Sequence, residues 1–158
     1  MITIPPQQPI VIEYIVSDSD LNRPDYASTF DFLKWNVATA IVPSVKNKIC
    51  ELSQLEDNWD GYGASNLSET VIKNAYKFID AARLIGYCPS SSDDVTPTPY
   101  GTIVLDYSSN TGVVSVEIGE SKIGFFTDFA DGKNHYSKGI PTSFRVVPLR
   151  IKNNLSRL

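Results

Sequence analysis

The spacing of apolar residues changes once along this chain, and that change constrains the fold more than any single motif does. Between residues 26 and 86, apolar residues recur every three or four positions, as on the buried face of an α-helix. From Thr102 to Gly139 they alternate with polar residues, which is the pattern of a β-strand. Helices followed by a run of strands and a final helix indicate an α+β domain, in which helices cover one face of an antiparallel sheet.

The helix with the strongest apolar stripe is predicted to follow Asn66-Leu-Ser-Glu69. That tetrapeptide fits a capping box, in which the Asn66 side chain accepts from the amide of Glu69. Gly86 is predicted to end the helix. A preceding helix is predicted to begin near Pro43, which is tolerated in a first turn, and to carry Val45, Ile49, Leu52 and Leu55. The predicted stripe consists of Val71, Ile72, Ala75, Phe78, Ile79, Ala82 and Ile85.

The alternating region predicts a four-stranded antiparallel meander after a proline-rich connection, Cys88 to Tyr100. The residues predicted to face the helices are Ile103, Leu105, Tyr107, Val114, Val116 and Ile118. The opposite face then carries Val104 and Phe126 among polar residues. An apolar patch on such a face is typical of a partner surface, but the N-terminal segment or the terminal helix could equally cover it.

The length of 158 residues and the hydrophobic fraction of 42% predict a single domain. Residues 1–42 are expected to form an N-terminal strand and helix extension, and residues 43–158 the main unit. The N-terminus lacks the basic region of a signal peptide and the apolar length of a membrane span, so we expect a cytoplasmic protein with no membrane contact. Cys50 and Cys88 are expected to be reduced core residues.

One loop is denser in large side chains than a connector needs: Asn58-Trp59-Asp60-Gly61-Tyr62-Gly63-Ala64. The Asp-Gly pair favours a turn, and Trp59 and Tyr62 are large enough to pin the loop against the core. The alternative is a recognition site in which Trp59 and Tyr62 act together with Asp57 and Asp60, since aromatic residues dominate binding hot spots.

Three segments carry a resemblance to a known group of proteins: Leu52 to Ala64, Thr96-Pro-Thr-Pro99 and Gly101-Thr-Ile-Val-Leu-Asp-Tyr107. Together they resemble small uncharacterised bacterial and phage proteins with a W-D-G-Y-G-A signature followed by a G-x-I-x-L-[DE]-[WY] strand. The similarity spans Val45 to Phe126. It implies that the loop, the helix after it and the meander form one unit, and it implies no particular activity.

Charge is distributed unevenly along the chain, whose net charge is −4. Residues 145–158 contain four basic and no acidic residues, which leaves 10 basic and 18 acidic residues in the rest. Because phosphate contacts need clustered Lys and Arg, direct nucleic-acid binding is not expected. The basic tail is interpreted as the solvated face of a terminal helix, or alternatively as a docking site for an acidic partner.

No residue set has the spacing of a known reaction centre or metal site, so no cofactor is expected. The favoured interpretation is a non-enzymatic acidic binding protein that contacts another protein, and a basic surface on that protein would complement its charge. Within that class we favour an inhibitor, antitoxin, immunity or anti-defence protein of a mobile element. The residues proposed to contact the partner are Asp57, Trp59, Asp60, Tyr62, Val104 and Phe126. The alternative is a small hydrolase or nucleotide-handling enzyme that uses Asp57, Asp60 and His135.

Overall fold

A computed structural model describes residues 42–158, so the predicted N-terminal extension lies outside the described residues apart from Val42. Residues 42–52 are helical and are called α1 here. The other elements are α2 (Glu69–Leu84), β1 (Val95–Pro97), β2 (Ile103–Ser109), β3 (Gly112–Ile118), β4 (Lys122–Phe129), β5 (Tyr136–Pro141) and α3 (Leu149–Leu155), with a 3₁₀ turn at Ser92–Asp94. None of the described helices is long and apolar enough to cross a membrane.

The strands form one antiparallel sheet in the order β1-β2-β3-β4-β5, which confirms the α+β class and the meander. The sheet has five strands rather than four, because part of the proline-rich connection pairs as β1. Val95 lies opposite Leu105 and Pro97 opposite Ile103. The sequence gives little sign of this strand, since Val95, which is 1% exposed, is its only apolar residue besides proline.

The two faces of the sheet are those predicted. The six residues expected to face the helices are all buried, with Tyr107 the most exposed at 2%. They share one hydrophobic core with Val45 and Ile49 of α1, Phe78 of α2 and Ile151 of α3, among others. The described helices therefore contribute to the same face of the sheet, and the opposite face is called the open face here.

Specific side-chain contacts hold α2 against the sheet and against α1. The buried Asn74 side chain donates through Nδ2 to the carbonyls of Gly119 and Glu120, at 3.0 and 2.8 Å. The ring of Phe78 meets that of Tyr107 edge to face, with 6.5 Å between centroids. An ion pair of 2.7 Å between Lys46 Nζ and Asp80 joins α1 to α2.

The predicted start of α2 is wrong by two residues. Ser68 is the N-cap, and its Oγ accepts from the amide of Val71 at 3.3 Å. Asn66 lies three residues before the first helical residue, within the preceding loop, where its amide donates to Asp57 Oδ1 at 2.9 Å. Gly86 ends the helix as predicted, with φ of 83° and its amide bonded to the Arg83 carbonyl.

Both cysteines are free thiols, as expected, but only Cys88 packs against the core. Cys50 is exposed on α1, and Cys88 is partly buried after α2. Burial raises the pKa of the Cys88 thiol to about 11. A thiol with so high a pKa is a weak nucleophile at neutral pH.

Candidate functional site

The loop between α1 and α2 is held together by its own polar side chains. Asp60 Oδ1 accepts from the amides of Tyr62 and Ala64, at 2.8 and 3.1 Å. Asn58 Oδ1 accepts from the amide of Gly63 at 2.8 Å, and Asn58 itself adopts a φ of 67°. The loop thus has a defined conformation that depends on these two side chains.

The carboxylates of the loop have a structural role in this arrangement. The amide of Tyr62, which donates to Asp60, lowers the pKa of that carboxyl below its usual value. Asp57 accepts from the amide of Asn66 across the base of the loop. Both acids therefore stabilise the loop backbone while they add negative charge to its surface.

The loop is also attached to the turn between β1 and β2. The amide of Ser65 donates to the Pro99 carbonyl at 2.9 Å, and Ser65 pairs with Tyr100 in an isolated parallel bridge. At Gly101 a Cβ would lie 2.8 Å from the Asn66 carbonyl oxygen, so this close approach requires glycine. The attachment gives the loop a fixed position relative to the sheet.

The two aromatic residues of the loop are not equivalent. Trp59 is partly buried, and its Nε1 donates to the Ser65 carbonyl at 3.3 Å, so it staples the loop to itself. Tyr62 is 95% exposed, and the prediction that it pins the loop against the core is wrong. Its backbone amide is held by Asp60 while its ring projects into solvent, because the turn at Gly61 directs it outward.

Tyr100, which the sequence did not single out, is a further exposed aromatic residue beside the loop. It is 84% exposed and sits in the turn that bonds to Ser65. The available sequence signal was its place between Pro99 and Gly101, which is typical of a tight turn. Because the loop and this turn are hydrogen-bonded to each other, the backbones that carry Tyr62 and Tyr100 are held next to each other.

The open face of the sheet carries the other two predicted partner residues. Phe126 is 53% exposed and lies opposite Tyr136, which is 79% exposed, while Val104 is partly buried on the same face. These three residues line a depression of about 400 Å³ together with Gly124 and Lys138. Gly124 has no side chain, and a Cβ at this position would lie 3.3 Å from the carbonyl oxygen of Ser137 in β5.

The terminal helix does not cover this depression. Ile151 and Leu155 of α3 are fully buried in the core, on the side of the sheet opposite Phe126. Of the two expected covers, the terminal helix is therefore excluded, and the N-terminal segment lies outside the described residues. One carboxylate oxygen on the open face, Asp106 Oδ1, is buried and accepts no hydrogen bond from the part of the chain that the structure describes.

The structure does not bring together the residues of the enzyme alternative. The loop that carries Asp57 and Asp60 meets the sheet beside Gly101, near the end where Ile123 lies. The backbone of His135 bonds to Thr127 of β4. Thr127 lies four residues beyond Ile123, so the two positions are about 13 Å apart at the usual rise of a strand. The His135 ring instead bonds through Nδ1 to Asn154 Oδ1 at 2.9 Å.

Among residues 42–158, no group of three or more His, Cys, Asp or Glu side chains is placed to hold a metal ion. Comparison with protein-family models, with curated proteins and with solved structures found no match to this chain. The resemblance to bacterial and phage proteins with the W-D-G-Y-G-A signature stays a prediction.

Proposed function

We propose that this chain is a non-enzymatic binding protein of the cytoplasm that acts by contact with another protein. Within that class we propose an inhibitor, antitoxin, immunity or anti-defence protein of a mobile element. The observation that carries the proposal is the display of Tyr62, 95% exposed, on a loop whose backbone is fixed by side-chain hydrogen bonds. A rigid aromatic side chain gives contact area at low entropic cost on binding.

The chemistry of the loop favours a partner with a basic surface. Glu56, Asp57 and Asp60 surround the aromatic residues, and no basic residue occurs between Glu51 and Glu69. The internal hydrogen bonds of Asp57 and Asp60 leave their negative charge in place, and complementary charge speeds association. Direct binding of nucleic acid is not part of the proposal.

The open face is the second surface that supports the proposal. Phe126 and Tyr136 project from neighbouring strands beside the depression at Gly124. Aromatic side chains next to a depression are typical of hot spots, which accept a side chain of the partner. The loop and the open face provide separate sets of residues, and they can be tested separately.

The experiment is affinity purification of the tagged protein from its native host, with three single variants compared against the wild type. Tyr62→Ser tests the loop and Phe126→Ser tests the open face. Leu84→Ser is the matched control, because Leu84 is 68% exposed at the end of α2. We expect a co-purifying protein that is retained by Leu84→Ser and lost with Tyr62→Ser, Phe126→Ser or both.

Two results would contradict the proposal. One is a partner that both variants retain at wild-type levels, which would place the contact elsewhere. The other is turnover of a nucleotide or ester substrate by the purified protein, which would favour the enzyme class.

A further inference from the structure

A third exposed surface lies on the helical side of the molecule, around the start of α3. Val146 is 73% exposed and Leu149 is 69% exposed. Their positions are fixed by buried neighbours, because Val147 is 5% exposed and Ile151 is fully buried. Two large apolar side chains are therefore held in solvent by well-anchored backbone.

Cations flank these apolar residues. Along α3, helical geometry places Leu149 opposite the buried Ile151 and Leu155, with Arg150 and Lys152 to either side of it. Arg145 precedes Val146 directly and is also exposed. We call these five residues the basic apolar surface: Arg145, Val146, Leu149, Arg150 and Lys152.

The cations of this surface are available to a partner. Within the described part of the chain, the side chains of Arg145, Arg150 and Lys152 form no ion pair. Arg157, by contrast, is committed to the fold: it bonds to both oxygens of Asp131, at 3.0 and 3.1 Å, and lies 3.7 Å from the centre of the Phe129 ring. The predicted solvation of the basic tail holds for three of its cations and fails for the fourth.

We propose that the basic apolar surface is a docking site for an acidic protein segment that carries an apolar side chain. Carboxylates of the segment would pair with Arg145, Arg150 and Lys152, and its apolar side chain would cover Val146 and Leu149. Arginine beside exposed apolar residues is typical of protein interfaces, since arginine is enriched in their hot spots. This inference goes beyond the proposed function, because the surface lies across the sheet from Phe126.

A protein segment fits this surface better than a nucleic acid or a membrane does. The centre of the surface is aliphatic and carries no aromatic ring on which a base could stack. A peripheral membrane helix needs a broad apolar face turned outward, whereas α3 has seven residues and its main apolar face is in the core.

The probe for this site is a fluorescein-labelled peptide of glutamate residues with leucine at every third or fourth position. Its binding to the full chain is measured by fluorescence anisotropy. The matched control peptide has serine in place of leucine and therefore the same charge. We expect the leucine peptide to bind more tightly than the serine peptide, and its binding to weaken as ionic strength rises.

Variants then locate the binding. Leu149→Ser and Arg150→Glu should each lower the affinity for the leucine peptide roughly tenfold, a change expected for a residue near the centre of an interface. Leu84→Ser controls for loss of an exposed leucine elsewhere. Tyr62→Ser should leave peptide binding unchanged, so failure here is distinguishable from failure of the proposed function. Circular dichroism and thermal melting check that each variant folds.

Several results would overturn the inference. They are absence of peptide binding, equal binding of the serine peptide, or no effect of Leu149→Ser and Arg150→Glu. Tighter binding of a DNA duplex or of phosphatidylserine vesicles to the same surface would assign it to another class of partner. Self-association of the free protein that Leu149→Ser abolishes would make a second copy the occupant.

Discussion

Asp60 performs two tasks at the scale of a single residue, and substitution can separate them. Its Oδ1 accepts from the amides of Tyr62 and Ala64, and its charge adds to the acidity of the loop. Asp60→Asn keeps an acceptor oxygen and removes the charge, whereas Asp60→Ala removes both. We expect Asp60→Ala to lower the urea midpoint of unfolding clearly and Asp60→Asn to lower it slightly, because an amide oxygen still satisfies the two donors.

The same residue predicts a pH dependence. The folded state lowers the pKa of Asp60, so the ionised form stabilises the fold above the unfolded pKa of about 3.9. That contribution is lost as the pH falls through the lower folded pKa. We expect the stability difference between wild type and Asp60→Asn to be largest near neutral pH and to vanish in acid. A stability difference that stays constant from neutral to acid pH would show that the charge of Asp60 does not stabilise the fold.

Tyr107 provides a prediction with the opposite sign. Its hydroxyl is buried in the core and has no hydrogen-bond partner among residues 42–158, and burial raises its pKa far above the usual value. Tyr107→Phe removes an unsatisfied polar group, so we expect the free energy of unfolding, measured by thermal melting, to be unchanged or to rise by up to about 1 kcal/mol. Tyr76→Phe is the matched control, because the Tyr76 hydroxyl donates to the Lys46 carbonyl at 3.3 Å. A stability loss larger for Tyr107→Phe than for Tyr76→Phe would contradict this account.

The faces of the strands can be tested at the scale of elements. Val116 is fully buried at the centre of β3, so Val116→Asp places an unpaired carboxylate in the core. We expect a loss of about 4 kcal/mol or more, or failure to fold. Ser108→Asp, on the open face of β2, is the control and should melt within about 0.5 kcal/mol of the wild type. Near-native melting of Val116→Asp would mean that the two faces are reversed.

Elements were predictable from the sequence where a repeated pattern specifies them. The alternation in β2 and β3 and the stripe of α2 each combine several residues, and their buried faces are confirmed. The strand β1 has one buried aliphatic residue between polar and proline positions, so its pairing depends on β2, which the local sequence does not reveal. The start of α2 was also misplaced, because Asn66 and Ser68 are both good capping residues and the local sequence does not show that Asn66 is bonded to Asp57 within the loop.

At the scale of the whole molecule, the sequence identified the candidate loop and two residues that are exposed, Tyr62 and Phe126, but it did not distinguish the orientations of the two loop aromatic residues. Trp59 and Tyr62 have similar sequence surroundings, yet one folds back on the loop and the other projects from it. That difference follows from the positive φ of Asn58 and Gly61 and from the attachment of the loop at Pro99 and Tyr100. Such contacts between distant segments are absent from local pattern, which is also why Tyr100 and Tyr136 were missed.

The final prediction concerns the rates at which the proposed partner binds and leaves. Long-range attraction acts before contact, so charge mainly sets the association rate, whereas packed side chains mainly set the dissociation rate. The double variant Asp57→Asn, Asp60→Asn keeps the acceptors of the loop and removes two charges. We expect it to slow association with the purified partner at low ionic strength and to leave dissociation nearly unchanged. Tyr62→Ser should do the reverse.

Salt supplies the control for this separation. The Debye length shortens from about 30 Å at 0.01 M to about 8 Å at 0.15 M salt, so the association rate of the wild type should fall across that range. The association rate of the double variant should fall less over the same range, because fewer of its charges attract the partner. An association rate of the wild type that does not change with salt would mean that the acidic loop does not guide binding. Tyr62 and the open face would then have to account for the whole contact through apolar packing alone.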